Sequence, residues 1–336
     1  MARRKPQKKK SNNGVWVGTG ISVSILLLIC VALYFKFQPG PPDRSSGAIT
    51  EANLAKQTLK TDGLPDLGKA PGGTGSFGEL MTTIGAAKNV MNAGGFQEEK
   101  KAKSAEIVQA LHGAAAGSLP ANALDNKIPA KYFDSAEMKS NFGVLGKAVR
   151  MQVDEHLEKV AFDKAQGVAL SYFNLGKQVY EKNIRLKSRQ RGLAVMKSAL
   201  STLGRINRAR YDDGEIEKDE LTKANESVMD WNRAIADLEQ SWNSKLKPIE
   251  SVNASKGMPN ISDLIKVANE DKDLTFRIFG ALRLGYALYE RGDQGNQDAI
   301  KAAIEELKGD SEKLVAKAAA EGESIKDADE YYELRK

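Results

Sequence analysis

Apolar side chains recur every three or four positions through most of the chain. The clearest stretch covers 215–246, where Leu221, Ala224, Val228, Trp231, Ile235, Leu238 and Trp242 are spaced 3, 4, 3, 4, 3 and 4 apart. That rhythm puts them on one helical seam of heptad type, which must bury against other helices. The acidic cluster Asp212, Asp213, Glu215 and Glu217 suits the start of this helix, and Pro248 its end. A second helix is predicted over 150–183, with Leu157, Ala161, Ala165, Val168, Tyr172, Leu175 and Val179 on one side. A third is predicted over 185–210, with Leu193, Met196, Leu200, Leu203 and Ile206. Further helices are predicted over 79–92, 97–116, 134–148, 261–270, 273–291, 295–308 and 310–321. Breaks fall at Gly94-Gly95, between Pro120 and Pro129, and from Gly257 to Pro259. No run of strand length alternates β-branched and polar residues, so the predicted fold class is all-α. Short connections between consecutive helices favour antiparallel hairpins.

The N-terminal pattern differs. Positions 15–35 hold 21 residues with no charge and no proline. A helix of that length spans about 30 Å, the thickness of a bilayer's hydrocarbon core. Val15, Trp16, Leu26, Leu27, Leu28, Ile29, Tyr34 and Phe35 are its anchor residues, with the aromatic ones at the two headgroup levels. Arg3, Arg4, Lys5, Lys8, Lys9 and Lys10 precede the span, so the positive-inside rule keeps the N-terminus in the cytoplasm and sends the C-terminal part across. The apolar run is longer than that of a cleaved signal peptide and ends without a small-x-small site, which points to an uncleaved signal anchor. Gly14, Gly18 and Ser22 share one face at four-residue spacing, a candidate contact between two membrane helices.

These patterns divide the chain into a basic cytoplasmic tail (1–14), a transmembrane helix (15–36), a flexible Gly/Pro-rich stalk (37–78) and an α-helical extracytoplasmic domain (79–336). A sub-boundary is expected near 249–260. Gly73, Gly75 and Gly78 spell G-x-G-x-x-G, but Lys69-Ala70-Pro71-Gly72 before them is no buried strand. A glycine-rich linker is the expected explanation, and no cofactor is implied.

Two segments resemble each other, LGKQVYEKN at 175–183 and LGYALYERG at 284–292. A glycine inside a helix lets a neighbour approach, and the tyrosine four residues on fills the adjoining space. On Leu175, Gly176 and Tyr180, and on Leu284, Gly285, Tyr289 and Gly292, the chain resembles a tetratricopeptide repeat, whose two-helix units stack into a solenoid. Ala299 matches the small residue of that family's second helix if the turn carries about two extra residues. The resemblance covers about a fifth of the chain, and plain helix-bundle packing is the alternative. The overall plan also resembles bacterial inner-membrane proteins with a short cytoplasmic tail, one signal anchor and a periplasmic repeat domain. That resemblance implies partners among envelope proteins.

Composition narrows the chemistry. The 336 residues include one cysteine and two histidines, which excludes a disulfide scaffold and a Cys/His zinc site. The net charge of +6 belongs to the N-terminus. Seven of the 50 basic residues lie in the first 36 positions, and the other 43 are balanced by 44 acidic ones. The body therefore has no overall attraction for phosphate backbones, and no nucleic-acid partner is expected. Within it, nine Lys/Arg and no acid occupy 182–211. Arg185, Lys187, Arg189 and Arg191 form a candidate stripe for an anionic partner, and pairing with the acidic start of the next helix is the alternative. His112, just before Gly113, is expected to meet the helix dipole, and His156 is expected on an exposed face. Neither has a glutamate three residues earlier, as a di-iron bundle would require. No G-x-S-x-G elbow, zincin motif or phosphate loop occurs; GVLGKA at 143–148 has the wrong glycine spacing.

The expectation is therefore a single-pass inner-membrane protein without catalytic, cofactor or metal residues, binding or scaffolding envelope proteins through a helical domain in the periplasm. The alternatives are a dimeric structural or sensor bundle and, of a different class, an unrecognised hydrolase.

Overall fold

Several helix starts in this chain are set by side chains that accept the free amides of the first turn. Ser76 Oγ accepts from Glu79 N at 3.2 Å while Glu79 Oε2 accepts from Ser76 N at 2.6 Å, a capping box that opens α1 (Phe77–Asn92). α2 is Gln97–Ala116, and Ser135 caps α3 (Ala136–Glu158). α4 (Phe162–Lys182), α5 (Leu186–Asp212) and α6 (Lys218–Leu246) follow. Asn260 caps α7 (Ile261–Glu270), and Asp273 Oδ1 accepts from Thr275 N at 3.0 Å at the head of α8 (Leu274–Glu290). α9 (Gln294–Lys308) and α10 (Lys313–Glu323) complete the set.

The computed structural model describes residues 58–127, 135–249, 260–290 and 294–325. Among them all regular structure is helical, with one 3₁₀ turn at Asp125–Lys127 and no strand. The described residues all belong to one compact unit, Ala48–Lys336. The predicted anchor, from Val15 through Trp16, Leu26, Leu27, Leu28, Ile29 and Tyr34 to Phe35, lies outside the described residues. So do its face at Gly14, Gly18 and Ser22, Gly292, the side chain of Tyr289, and most of 249–260. No helix among the described residues is long and apolar enough to cross a membrane.

The most extensive packing is between α4 and α5, followed by α8 against α10. Both pairs cross backbone to backbone at glycines. A Cβ on Gly192 would lie 2.5 Å from Tyr180 N and 2.7 Å from Gly176 O; one on Gly285 would lie 2.2 Å from the Gly322 carbonyl carbon. The two Leu-Gly segments are thus both close-crossing points, and Leu175 and Leu284 beside them are fully buried. Their partners differ. α4 crosses the next helix, whereas α8 crosses α10, and Ala299 on the intervening α9 is exposed while Ile300, Ala303 and Ile304 are buried. The heptad seam of α6 buries Val228, Trp231, Ile235, Leu238 and Trp242, while Leu221 and Ala224 stay half-exposed.

Two expectations are corrected. The single helix over 150–183 is two helices, α3 and α4. They are separated by a Schellman turn in which Ala161 N–H donates to His156 O at 2.8 Å and Val160 N–H to Leu157 O at 3.0 Å. Val160 takes the left-handed position at φ 54°, where glycine is usual, so the break carries no glycine signal. Nor is the described part of the expected stalk free, because 58–76 is strapped along the helices. Leu59 N–H donates to Tyr180 Oη at 2.7 Å, and Trp231 Nε1–H donates to Pro65 O at 2.9 Å. Gly73 lies so close to the α2 backbone that a Cβ on it would be 2.8 Å from Gly113 N. Its lack of a side chain thus serves a close crossing as well as a linker.

Candidate binding cleft

The turn between α4 and α5 gathers the polar groups that form the cleft. Asn183 Oδ1 accepts from Leu124 N at 2.9 Å, and Lys182 O accepts from Asn122 N at 2.6 Å. Asp125 Oδ2 then accepts from Ile184 N at 2.7 Å and Arg185 N at 3.0 Å, and Asp125 Oδ1 accepts from Ser188 Oγ at 2.6 Å. Asp125, about 60 residues upstream, therefore ties down the two residues that lead into α5 and the Ser188 side chain in its first turn. Local sequence reading could not find it, because such a tether normally lies next to its helix.

Beside this turn a cleft of about 600 Å³ opens between the α4 end, the 58–61 strap and the head of α8. Its floor is fixed by Arg189, which is buried. Arg189 Nη1 donates to Thr275 Oγ1 at 2.8 Å and lies 3.5 Å from Asp273 Oδ2; Nη2 donates to Tyr180 Oη at 3.0 Å. The guanidinium stands 4.6 Å from the Tyr180 ring centre and 5.5 Å from that of Trp242. Burial pushes the Tyr180 phenol up, partly opposed by the Arg189 charge. A second cleft of about 240 Å³ adjoins the first, sharing Asn122 and Ile184. It runs past Arg185 to Leu282, Leu314 and Glu321. Burial pulls the Arg185 pKa down, against Asp125 and Glu321.

The predicted basic stripe does not form one surface. Residues two apart on a helix are about 200° apart around its axis. Arg189 accordingly points inward, Arg191 stacks 5.5 Å from the Phe142 ring centre, and Arg185 and Lys187 are half-buried. Pairing with the acidic start of α6 is confined to its approaches. Arg208 meets Asp212 at 2.9 Å and Arg210 meets Glu215 at 2.8 Å, whereas Lys197 pairs with Glu239 at 2.8 Å and Arg205 with Asp154 at 2.7 Å.

The histidines lie elsewhere. His112 Nδ1 is 2.7 Å from Ser171 Oγ, and Ser171 is fully buried inside α4. That pair is a packing contact, since a nucleophile must reach its substrate. His156 is half-buried rather than exposed. Burial lowers both pKa values from the ordinary 6.5, and for His112 the neighbouring His156 lowers it further. The unfolded chain therefore takes up these protons first as pH falls. The stability they contribute is complete above 6.5 and declines below it. The loss of urea resistance between about pH 7.5 and pH 5 is expected to be smaller in a His112→Gln/His156→Gln chain than in the parent; equal losses would refute this assignment.

Among the described residues no three His, Cys, Asp or Glu side chains gather as metal ligands would. No family model, no curated protein and no solved structure matches the chain.

Proposed function

We propose that this chain is a membrane-anchored, non-catalytic binding or scaffold protein. The apolar segment 15–36 holds it, and its helical body meets envelope proteins on the far side of the inner membrane. The observation that carries this reading is the cleft at the head of α5. Buried groups fix its floor, while Lys182 and Lys272 on its rim reach solvent. A rigid floor under adaptable rim side chains is what a docking site needs, because little order has to be created on binding. The crossing of α4 and α5 at Gly176 and Gly192 supports a helical-hairpin body of the tetratricopeptide kind.

The test is a photo-crosslinking amino acid at position 272 of the full chain in intact membranes. Adducts with other envelope proteins are expected. Self-adducts alone would overturn the proposal in favour of a dimeric bundle.

A further inference from the structure

We infer that the cleft at the head of α5 takes an acidic peptide segment with interspersed apolar residues. The inference rests on the binding reading above and names the chemistry of the bound segment. It follows from which charges in the walls already have partners. Asp125 is consumed in accepting from Ile184 N, Arg185 N and Ser188 Oγ, and Asp273 caps α8 through Oδ1 while its buried Oδ2 faces the Arg189 charge at 3.5 Å. Glu181, which is exposed, lies 3.9 Å from Lys177 one turn away on its own helix, and Glu321, whose Oε2 is buried, lies 3.8 Å from Lys317 and faces the Arg185 charge. The side chains of Lys182 and Lys272, both exposed and both lining the larger cleft, have no hydrogen-bond or ion-pair partner among the described residues. The residual field of the cleft is therefore positive, and concave low-dielectric walls focus it.

The walls also carry apolar surface. Leu59, Ile184 and Leu274 line the larger cleft, and in the smaller one Leu314 is 42% exposed beside Leu282. A ligand that satisfies both features presents carboxylates and aliphatic side chains together. A carboxylate already stands at each helix head where a phosphate would be cradled: Asp125 takes the Ile184 and Arg185 amides just before α5, and Asp273 takes the Thr275 amide in the first turn of α8. That disfavours a phosphate group as the anion. A bilayer surface, being flat, reaches the rim of a concave cleft but leaves its apolar walls uncovered.

The test uses the full chain in nanodiscs of zwitterionic lipid. The probe is a short fluorescein-labelled peptide of Glu-Glu-Leu repeats, with Lys-Lys-Leu repeats as the counter-probe. The parent chain is expected to bind the acidic peptide and not the basic one, more weakly as salt is raised. Lys182→Glu/Lys272→Glu is expected to weaken binding about tenfold or more, with Lys182→Arg/Lys272→Arg retaining it and Lys301→Glu, on the exposed side of α9, leaving it unchanged. Circular-dichroism melting shows that each variant folds. The inference is overturned if the parent does not bind the acidic peptide, or if the double charge reversal binds it like the parent. It is also overturned if the two lysines prove to govern binding to anionic phospholipid vesicles instead. If crosslinks from position 272 to envelope proteins persist through such a failure, the binding reading survives and only the ligand chemistry falls. If no such crosslinks form, the binding reading itself falls.

Discussion

Gly285→Ala is expected to destabilise the protein by about 3 kcal/mol, lowering its urea midpoint well below that of the parent. The added Cβ would stand 2.2 Å from the carbonyl carbon of Gly322, 2.3 Å from its oxygen and 2.4 Å from its Cα. All three are backbone atoms, so no rotamer change relieves the clash, and α8 and α10 must move apart along one of the body's main helix contacts. Gly322→Ala should be milder. Its Cβ would meet Leu282 O at 3.1 Å and Gly285 Cα at 3.3 Å, distances that small shifts restore. Gly204→Ala, in the middle of α5 with nothing within 4 Å of the new methyl, should be neutral or stabilising by up to about 1 kcal/mol. If Gly285→Ala unfolds at the same urea concentration as Gly204→Ala, the crossing described here is wrong.

These glycines show how far the sequence could be read. The Leu-Gly pairs at 175–176 and 284–285 announce close helix contacts, because a helical glycine is otherwise a liability. They do not announce the partner, and Gly322 is reached only through tertiary packing. Helix periodicity is equally plain: α2 and α7 span the expected 97–116 and 261–270. The α3–α4 break stayed hidden because Val160 occupies a left-handed position that sequence reading reserves for glycine or asparagine. The strap stayed hidden because Leu59, Pro65 and Gly73 make their contacts 40 to 166 residues away along the chain, which composition cannot encode. Within the cleft, Arg189 stood out only as one charge in a run, and Tyr180 only as a packing residue. The Asp273 and Thr275 that hold Arg189 are ordinary cap and first-turn residues in sequence.

Lys245→Met is expected to have an effect at least as large, about 3–5 kcal/mol, because it strands a charge. Lys245 and Asp271 have side chains with 0% exposure, and the ammonium sits 3.1 and 3.0 Å from the two carboxylate oxygens. The ammonium also lies 4.3 Å from the centre of the Phe276 ring. Burial pushes the Asp271 carboxyl up from its ordinary value, and the Asp273 amide and Lys245 pull it only partly back. Methionine keeps the bulk of the side chain but removes the compensating charge, so the carboxyl of the variant rises further. A folded-state pKa above the unfolded one means that the folded chain binds the proton first as pH falls. The variant's deficit should therefore shrink on acidification from about pH 7.5 to pH 5. Lys245→Met/Asp271→Asn keeps an acceptor for the Asp273 N–H, which Asp271 Oδ1 now takes at 2.8 Å, and buries no charge. It should regain most of the loss at neutral pH. Urea unfolding of the two variants at both pH values decides the matter. A single variant that loses less than about 1 kcal/mol, or whose deficit is the same at both pH values, would mean that this pair is solvated rather than sealed between α6 and the head of α8.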